Sequence, residues 1–184
     1  MKKSAEKKFL TMESIVKLLE EHRLIEKGLD VLESILSQKI DKNKLEDMLK
    51  FLKVFIDKCH HGKEENFLFP RLEERGLNLR AGPIAVMLSE HEQMRNMIAQ
   101  IEKEVEKPES DEEKVKRIAE DYVQALRMHK LKEESVLFKI AEQILDENDD
   151  KELSELFEKF EEEEIGKGVH EKFHKMIEEL EKKI

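Results

Sequence analysis

HHGKEENFLFP, running from His60 to Pro70, places two histidines ahead of two glutamates in a helix-forming stretch. HKLKEESVLFK, from His129 to Lys139, repeats it 69 residues later. The first His, the Lys, both Glu and the later Leu and Phe are identical in the two stretches. His and Glu four residues apart on a helix share one face, with Cβ atoms ~5–6 Å apart, so both side chains can reach the same neighbour.

The same offset organises the sequence outward from these stretches. The first helical segment carries an apolar stripe of Ile15, Leu18, His22, Ile25, Leu29, Leu32 and Leu36, in steps of three and four that mark the inward seam of a bundle helix. Shifted by 69, it becomes Ile84, Met87, His91, Met94, Ile98, Ile101 and Val105, again with histidine in third place. Each histidine directly follows a glutamate, in EEHR and SEHEQ. A second segment, from about Asn43 to the region of Pro70, aligns Leu49, Leu52, Ile56, His60, Glu64 and Phe67 on one face. Its counterpart aligns Val115, Ile118, Tyr122, Ala125, His129, Glu133, Val136 and Ile140.

A helix pair therefore occurs twice. SQKIDKN, RGLNLRAGP and KPESD supply the breaks, and Pro70 is expected to kink or end its helix at about Phe69. The spacing predicts an all-α fold, an up-down-up-down four-helix bundle over residues 1–146. After LDENDD, two shorter helical pieces, Lys151–Glu164 and Gly168–Ile184, are separated by GKG. Residues 147–184 are read as a helical extension packed on the bundle.

Composition agrees. The 184 residues are 39% hydrophobic and 42% charged, a balance that suits amphipathic helices with solvated outer faces. Three prolines, six glycines and few β-branched residues argue against a large sheet. A net charge of −10 argues against nucleic acid as a partner, because phosphate binding needs a basic surface. MKKSAEKKF lacks the apolar core of a signal peptide, and no apolar run approaches membrane-spanning length. The single cysteine, Cys59, suits a reducing cytoplasm.

The inward faces carry His22, His60, Glu64, His91, His129 and Glu133. Burying carboxylates beside imidazoles is costly unless something compensates, and a metal ion is the usual compensation. Four nitrogens and two carboxylates can hold two ions, with the carboxylates bridging and two histidines left for each ion. The His-x-x-x-Glu spacing alone is weak evidence: it occurs five times, at 22/26, 60/64, 61/65, 129/133 and 174/178. The repeat sorts them, since Glu26 corresponds to Arg95, His61 to Lys130, and His174 to nothing. His61 and Glu65 are accordingly read as flanking or outer residues.

EEHRLIEKGL, HHGKEENFLFP, SEHEQMR and HKLKEESVLF together resemble the hemerythrin-like (HHE cation-binding) family over about residues 11–145. The resemblance implies a non-haem di-iron centre: two iron ions bridged by oxo or hydroxo and by Glu64 and Glu133. His22 and His91 would be the single-helix ligands, and His60 and His129 the paired ones. Oxygen-carrying hemerythrins use five histidines, one glutamate and one aspartate. Here four histidines are in register and no aspartate matches, which points away from simple reversible oxygen carriage.

Other features are weighed against this centre. HEKFH, from His170 to His174, fits the zinc-protease spacing, but the sequence given runs only ten residues further. His170 or His174 could instead supply a fifth histidine to one iron. Tyr122, seven residues before His129, falls on the ligand face and could hydrogen-bond to a ligand or a bound molecule. Cys59 reads as a small buried hydrophobe in preference to a redox target. The expected function is binding or sensing of a small ligand, namely dioxygen, nitric oxide or peroxide. The alternatives are reduction of peroxide or nitric oxide, donation of iron to damaged iron centres, and a structural or storage role.

Overall fold

The computed structural model describes residues 12–183; the N-terminal MKKSAEKKF lies outside them. Among the described residues the fold is helical throughout, with no strand. Helix α1 spans Glu13–Leu36. Helix α2, residues 42–74, begins as α-helix at Lys42–Lys50, widens to π-helix at Phe51–His61 and Glu64–Leu68, and closes as α-helix at Phe69–Glu74. Helix α3 spans Pro83–Val105. Helix α4, residues 112–144, runs as α-helix over Glu112–Lys132, π-helix over Glu133–Leu137 and α-helix over Phe138–Ile144. Aspartates start α2 and α4: Asp41 accepts from the Asn43 and Lys44 amides, and Asp111 from that of Lys114.

These four helices pack as the repeat requires, α1 against α2 and α4, and α3 against the same two. The inward stripes of α1 and α3 are buried, with Val105 half-buried at its end. Two apolar clusters fill the bundle. One is built around Leu29, Phe51, Phe55, Ile98 and Tyr122, the other around Leu18, Leu68, Phe69, Met87, Leu137 and Phe138. The inward histidines and glutamates form a polar layer between them.

Two expectations need correction here, and one feature explains both. Pro70 does not end α2, which continues to Glu74. The turn before it is π-helical, with the Phe69 amide bonded to the Glu64 carbonyl five residues back. The wider turn relieves the clash a proline ring makes in a straight α-helix. The same turn recurs in α4, where the Phe138 amide bonds to the Glu133 carbonyl. Each π turn inserts one residue into the helical period. Leu68 and Leu137 therefore take the fully buried positions, while Phe67 is only half-buried and Val136 is 46% exposed.

Helix α5 spans Glu147–Phe160 and continues as a π-helical turn over Glu161–Gly166. It starts four residues before the expected Lys151 because LDENDD is a capping box: Asp146 accepts from the Asn148 and Asp149 amides, and the Asp149 side chain accepts from the Asp146 amide. Gly166 and Gly168, at φ 108° and 76°, turn the chain back into α6, Val169–Glu181. Both helices pack on the bundle, α5 through Leu153 and Phe157, α6 through Ile177 and Leu180.

Candidate metal centre

The two π turns sit at Glu64 and Glu133, and their carboxylates meet between two histidine pairs. The ring nitrogens Nε2 of His22 and His60 are 3.0 Å apart, and those of His91 and His129 are 2.9 Å apart. Glu133 lies between the pairs, with Oε2 3.2 Å from His22 and Oε1 3.0 Å from His129. Glu64 does the same from the other side, 3.7 Å from His60 and 3.5 Å from His91. All six side chains are buried. The structure thus brings together every inward residue expected from the repeat.

Each histidine is also held from behind. The Nδ1–H groups of His22, His60, His91 and His129 donate to Glu134, Glu21, Glu65 and Glu90, at 2.8, 2.7, 2.6 and 2.9 Å. That fixes the tautomer, leaving a lone pair on every Nε2 that faces inward. Lys63 and Lys132 in turn pair with Glu21 and Glu90. Of these outer carboxylates only Glu65 was read as an outer residue from sequence, although the signal for the others was present: Glu21/Glu90 and Glu65/Glu134 recur at the same offset of 69.

This arrangement fits metal ions. Two nitrogens carrying lone pairs 3.0 Å apart repel unless a cation sits between them. Cis donors about 2.1 Å from one ion are about 3 Å apart, the spacing found here. All four oxygens of Glu64 and Glu133 are buried without a hydrogen-bond partner, a costly state in an apolar interior. Two overlapping groups could hold ions: His22, His60, Glu64 and Glu133, and Glu64, His91, His129 and Glu133.

The close packing of these buried groups shifts their protonation. Burial, with Glu133 alongside, pushes the Glu64 carboxyl well above the carboxylate range. Burial acts the same way on Glu133, but His129 and His22 outweigh it and hold that carboxyl well below. Burial opposes protonation of His22 and His129, yet their glutamate neighbours raise both. Burial depresses His60 to about 4.

One residue sits where the repeat does not place it. His61 is buried, and its ring stacks on that of His91 with centroids 3.8 Å apart. Both its nitrogens lack a hydrogen-bond partner, and it forms a further possible metal group with His91 and His129. Its counterpart, Lys130, donates instead to Glu26 at 2.6 Å. The π-helix through Phe51–His61 turns two successive histidines toward the interior, which an ideal helix of 100° per residue does not do.

The C-terminal histidines lie elsewhere. His170 is 3.4 Å from Glu21 Oε1, behind His60 and away from the inward nitrogens. His174 is exposed, its ring 5.4 Å from that of His170. Among the described residues neither joins a group able to hold a metal. Tyr122 is fully buried in the neighbouring cluster, its hydroxyl without a partner, and burial together with Asp57 raises its pKa. Cys59 is buried, and its thiol is pushed up to about 12 by burial, so no thiolate forms at neutral pH.

The model of the hemerythrin HHE cation-binding domain matches residues 14–141, well over half of the chain. The chain belongs to the hemerythrin family. The match covers all six expected residues and His61 of this hemerythrin-family chain, and ends within α4, before α5 and α6. No curated protein and no solved structure matches it. Cation binding by the domain and the buried His/Glu groups of the bundle agree.

Proposed function

We propose that this chain holds two iron ions and uses them to bind a small ligand: dioxygen, nitric oxide or peroxide. His22 and His60 would serve one ion, His91, His129 and His61 the other, and Glu64 and Glu133 both. The observation that carries the reading is the pair of unpartnered buried carboxylates set between two Nε2 pairs. Iron in mixed imidazole and carboxylate ligation supplies open coordination positions and one-electron redox change. The protein's part is to orient the rings through the Nδ1 carboxylates and to keep water out with the apolar clusters at either side. With His61 on one side only, the His22/His60 side has fewer protein donors and is where an incoming ligand fits. The buried free thiol of Cys59 accords with a reducing, cytoplasmic setting.

A second reading, turnover of peroxide or nitric oxide, has its own support. Catalysis would need protons, and His170, half-buried and lining two surface cavities, adjoins Glu21, which holds His60. Those two polar side chains connect the surface cavities to the ring of His60.

The test is metal content and the optical spectrum of protein purified without chelator, before and after anaerobic reduction and return to air. The expected result is about two irons per chain, with charge-transfer bands that bleach and recover. Absence of metal, or a single zinc lost on His170→Ala, overturns the reading. Oxygen, nitric oxide and peroxide would then be compared for binding against consumption.

A further inference from the structure

The offset of 69 makes the two helix pairs comparable position by position, and one difference between them lies on the outside. Among the described residues four large hydrophobic side chains are exposed: Val86 (44%), Met128 (55%), Leu131 (55%) and Val136 (46%). Their counterparts 69 residues earlier are Lys17, Cys59, Gly62 and Phe67. All four counterparts meet the C-terminal helices. Lys17 donates to Glu158 at 2.7 Å. Cys59 lines a cavity of about 480 Å³ together with Ile165, His170 and Phe173. The Phe160 ring lies 3.0 Å from where a Gly62 Cβ would stand. Phe67 packs on Phe157 and Phe160, with centroids 6.3 and 5.4 Å away. The apolar side chains left exposed on α3 and α4 thus mark the counterpart of the groove that α5 and α6 fill on α1 and α2.

The exposed groove is also uncharged. Along α4 its exposed stripe reads Gln124, Met128, Leu131, Ser135; along α3 it reads Val86, Ser89, Gln93. None is charged, in a chain where 42% of residues are. Lys132 and Glu90, which border it, pair with each other.

We propose that this groove docks a second copy of the chain across a two-fold axis. With a net charge of −10, two copies repel one another over most of their surfaces. The uncharged groove is where they can approach without setting like charges together. A two-fold axis places each apolar side chain against the same patch of the other copy, so the surface needs only to complement itself. Docking would also cover the Lys132–Glu90 pair as Glu161 and His170 cover Lys63–Glu21. His129 would then be held by a shielded carboxylate, as His60 already is. The proposal does not depend on which metal the centre holds.

Sedimentation equilibrium of the full chain as purified tests it, beside the double variant Met128→Glu with Leu131→Glu. Both positions are exposed, so the variant should keep wild-type helicity and metal content. The mass of the wild type is expected to rise from the 21.8 kDa of one chain toward twice that value with concentration, while the variant stays at one chain. Added salt should favour the dimer, because it screens the repulsion between copies. A wild type that remains monomeric up to about millimolar concentration overturns the proposal, as an interface of standard size associates well below that. So do dimers in the variant equal to those of wild type, assemblies that grow past two chains, or a dimer that weakens with salt.

Discussion

The helix pairs α1/α2 and α3/α4 carry the same two histidines and glutamate in the same register, yet they differ at the positions around them. In the first pair Lys63 is fully buried, tied to Glu21 and to Glu161 of α5. In the second, Lys132 and Glu90 are 38% and 23% exposed. The first pair has His61 stacked on His91, and the second has Lys130 paired with Glu26. A duplicated frame sets where the donors stand, and the unrepeated residues decide how much water and how many nitrogens each donor set sees.

The largest expected effect removes what the two pairs share. Glu64→Ala with Glu133→Ala should lower bound metal from about two ions per chain to about none while leaving most helicity. Elemental analysis beside circular dichroism checks it, and two retained ions would refute the ligand assignment. Next comes the unshared histidine. His61→Leu should weaken one ion of the two, by more than the roughly 10–100-fold of an outer-shell loss, in a chelator titration that resolves two steps. A titration unchanged from wild type would return His61 to the core.

Glu21→Gln and Glu90→Gln compare the two outer shells directly. Each should weaken metal binding by about 10–100-fold. Only Glu21→Gln should also cost the metal-free fold about 3 kcal/mol, because it strips a partner from a buried lysine. Glu90→Gln should cost about 1 kcal/mol or less, as the exposed pair is screened by water. Equal losses in chemical denaturation would mean that coverage by the C-terminal helices does not distinguish the pairs. Gly28→Ala probes the packing difference. Its Cβ would stand 2.3 Å from the Phe51 ring, which is fully buried and has no room to swing away. A loss of about 1–3 kcal/mol is expected.

The smallest effect concerns acid. Burial works to raise the Asp149 carboxyl, but Arg75, the Asp146 amide and Arg71 outweigh it and hold it below its ordinary value. Its contribution is therefore present above the unfolded value of about 3.9 and is lost as pH falls through the lower native value. Thermal melts of wild type and Asp149→Asn should converge over that acid range and separate at pH about 6.

Most of the bundle was legible because burial writes a period into sequence: seven stripe residues of α1 and their shifted copies suffice to define two helices. The six His and Glu residues of the polar layer were legible for a related reason, since a repeat retains what both halves use. His61 was not, because comparing the halves discards whatever only one half has. Val136 was misread because its reading assumed an unbroken α-helical period, and a π turn adds a residue that no hydrophobic pattern announces; the same turn lets α2 run past Pro70, where an end was one of the two outcomes expected. The start of α5 was missed because acidic LDENDD looks like a loop until the capping role of Asp146 is recognised.

The placing of the polar layer between two apolar clusters has a kinetic consequence. An ion held by residues that are at most 2% exposed has no direct path to water. Its departure must wait for the helices to part locally, so its residence time is governed by the opening of the fold rather than by the bond strengths of its ligands alone. Metal exchange and amide hydrogen exchange around His60 and His129 would then follow one clock.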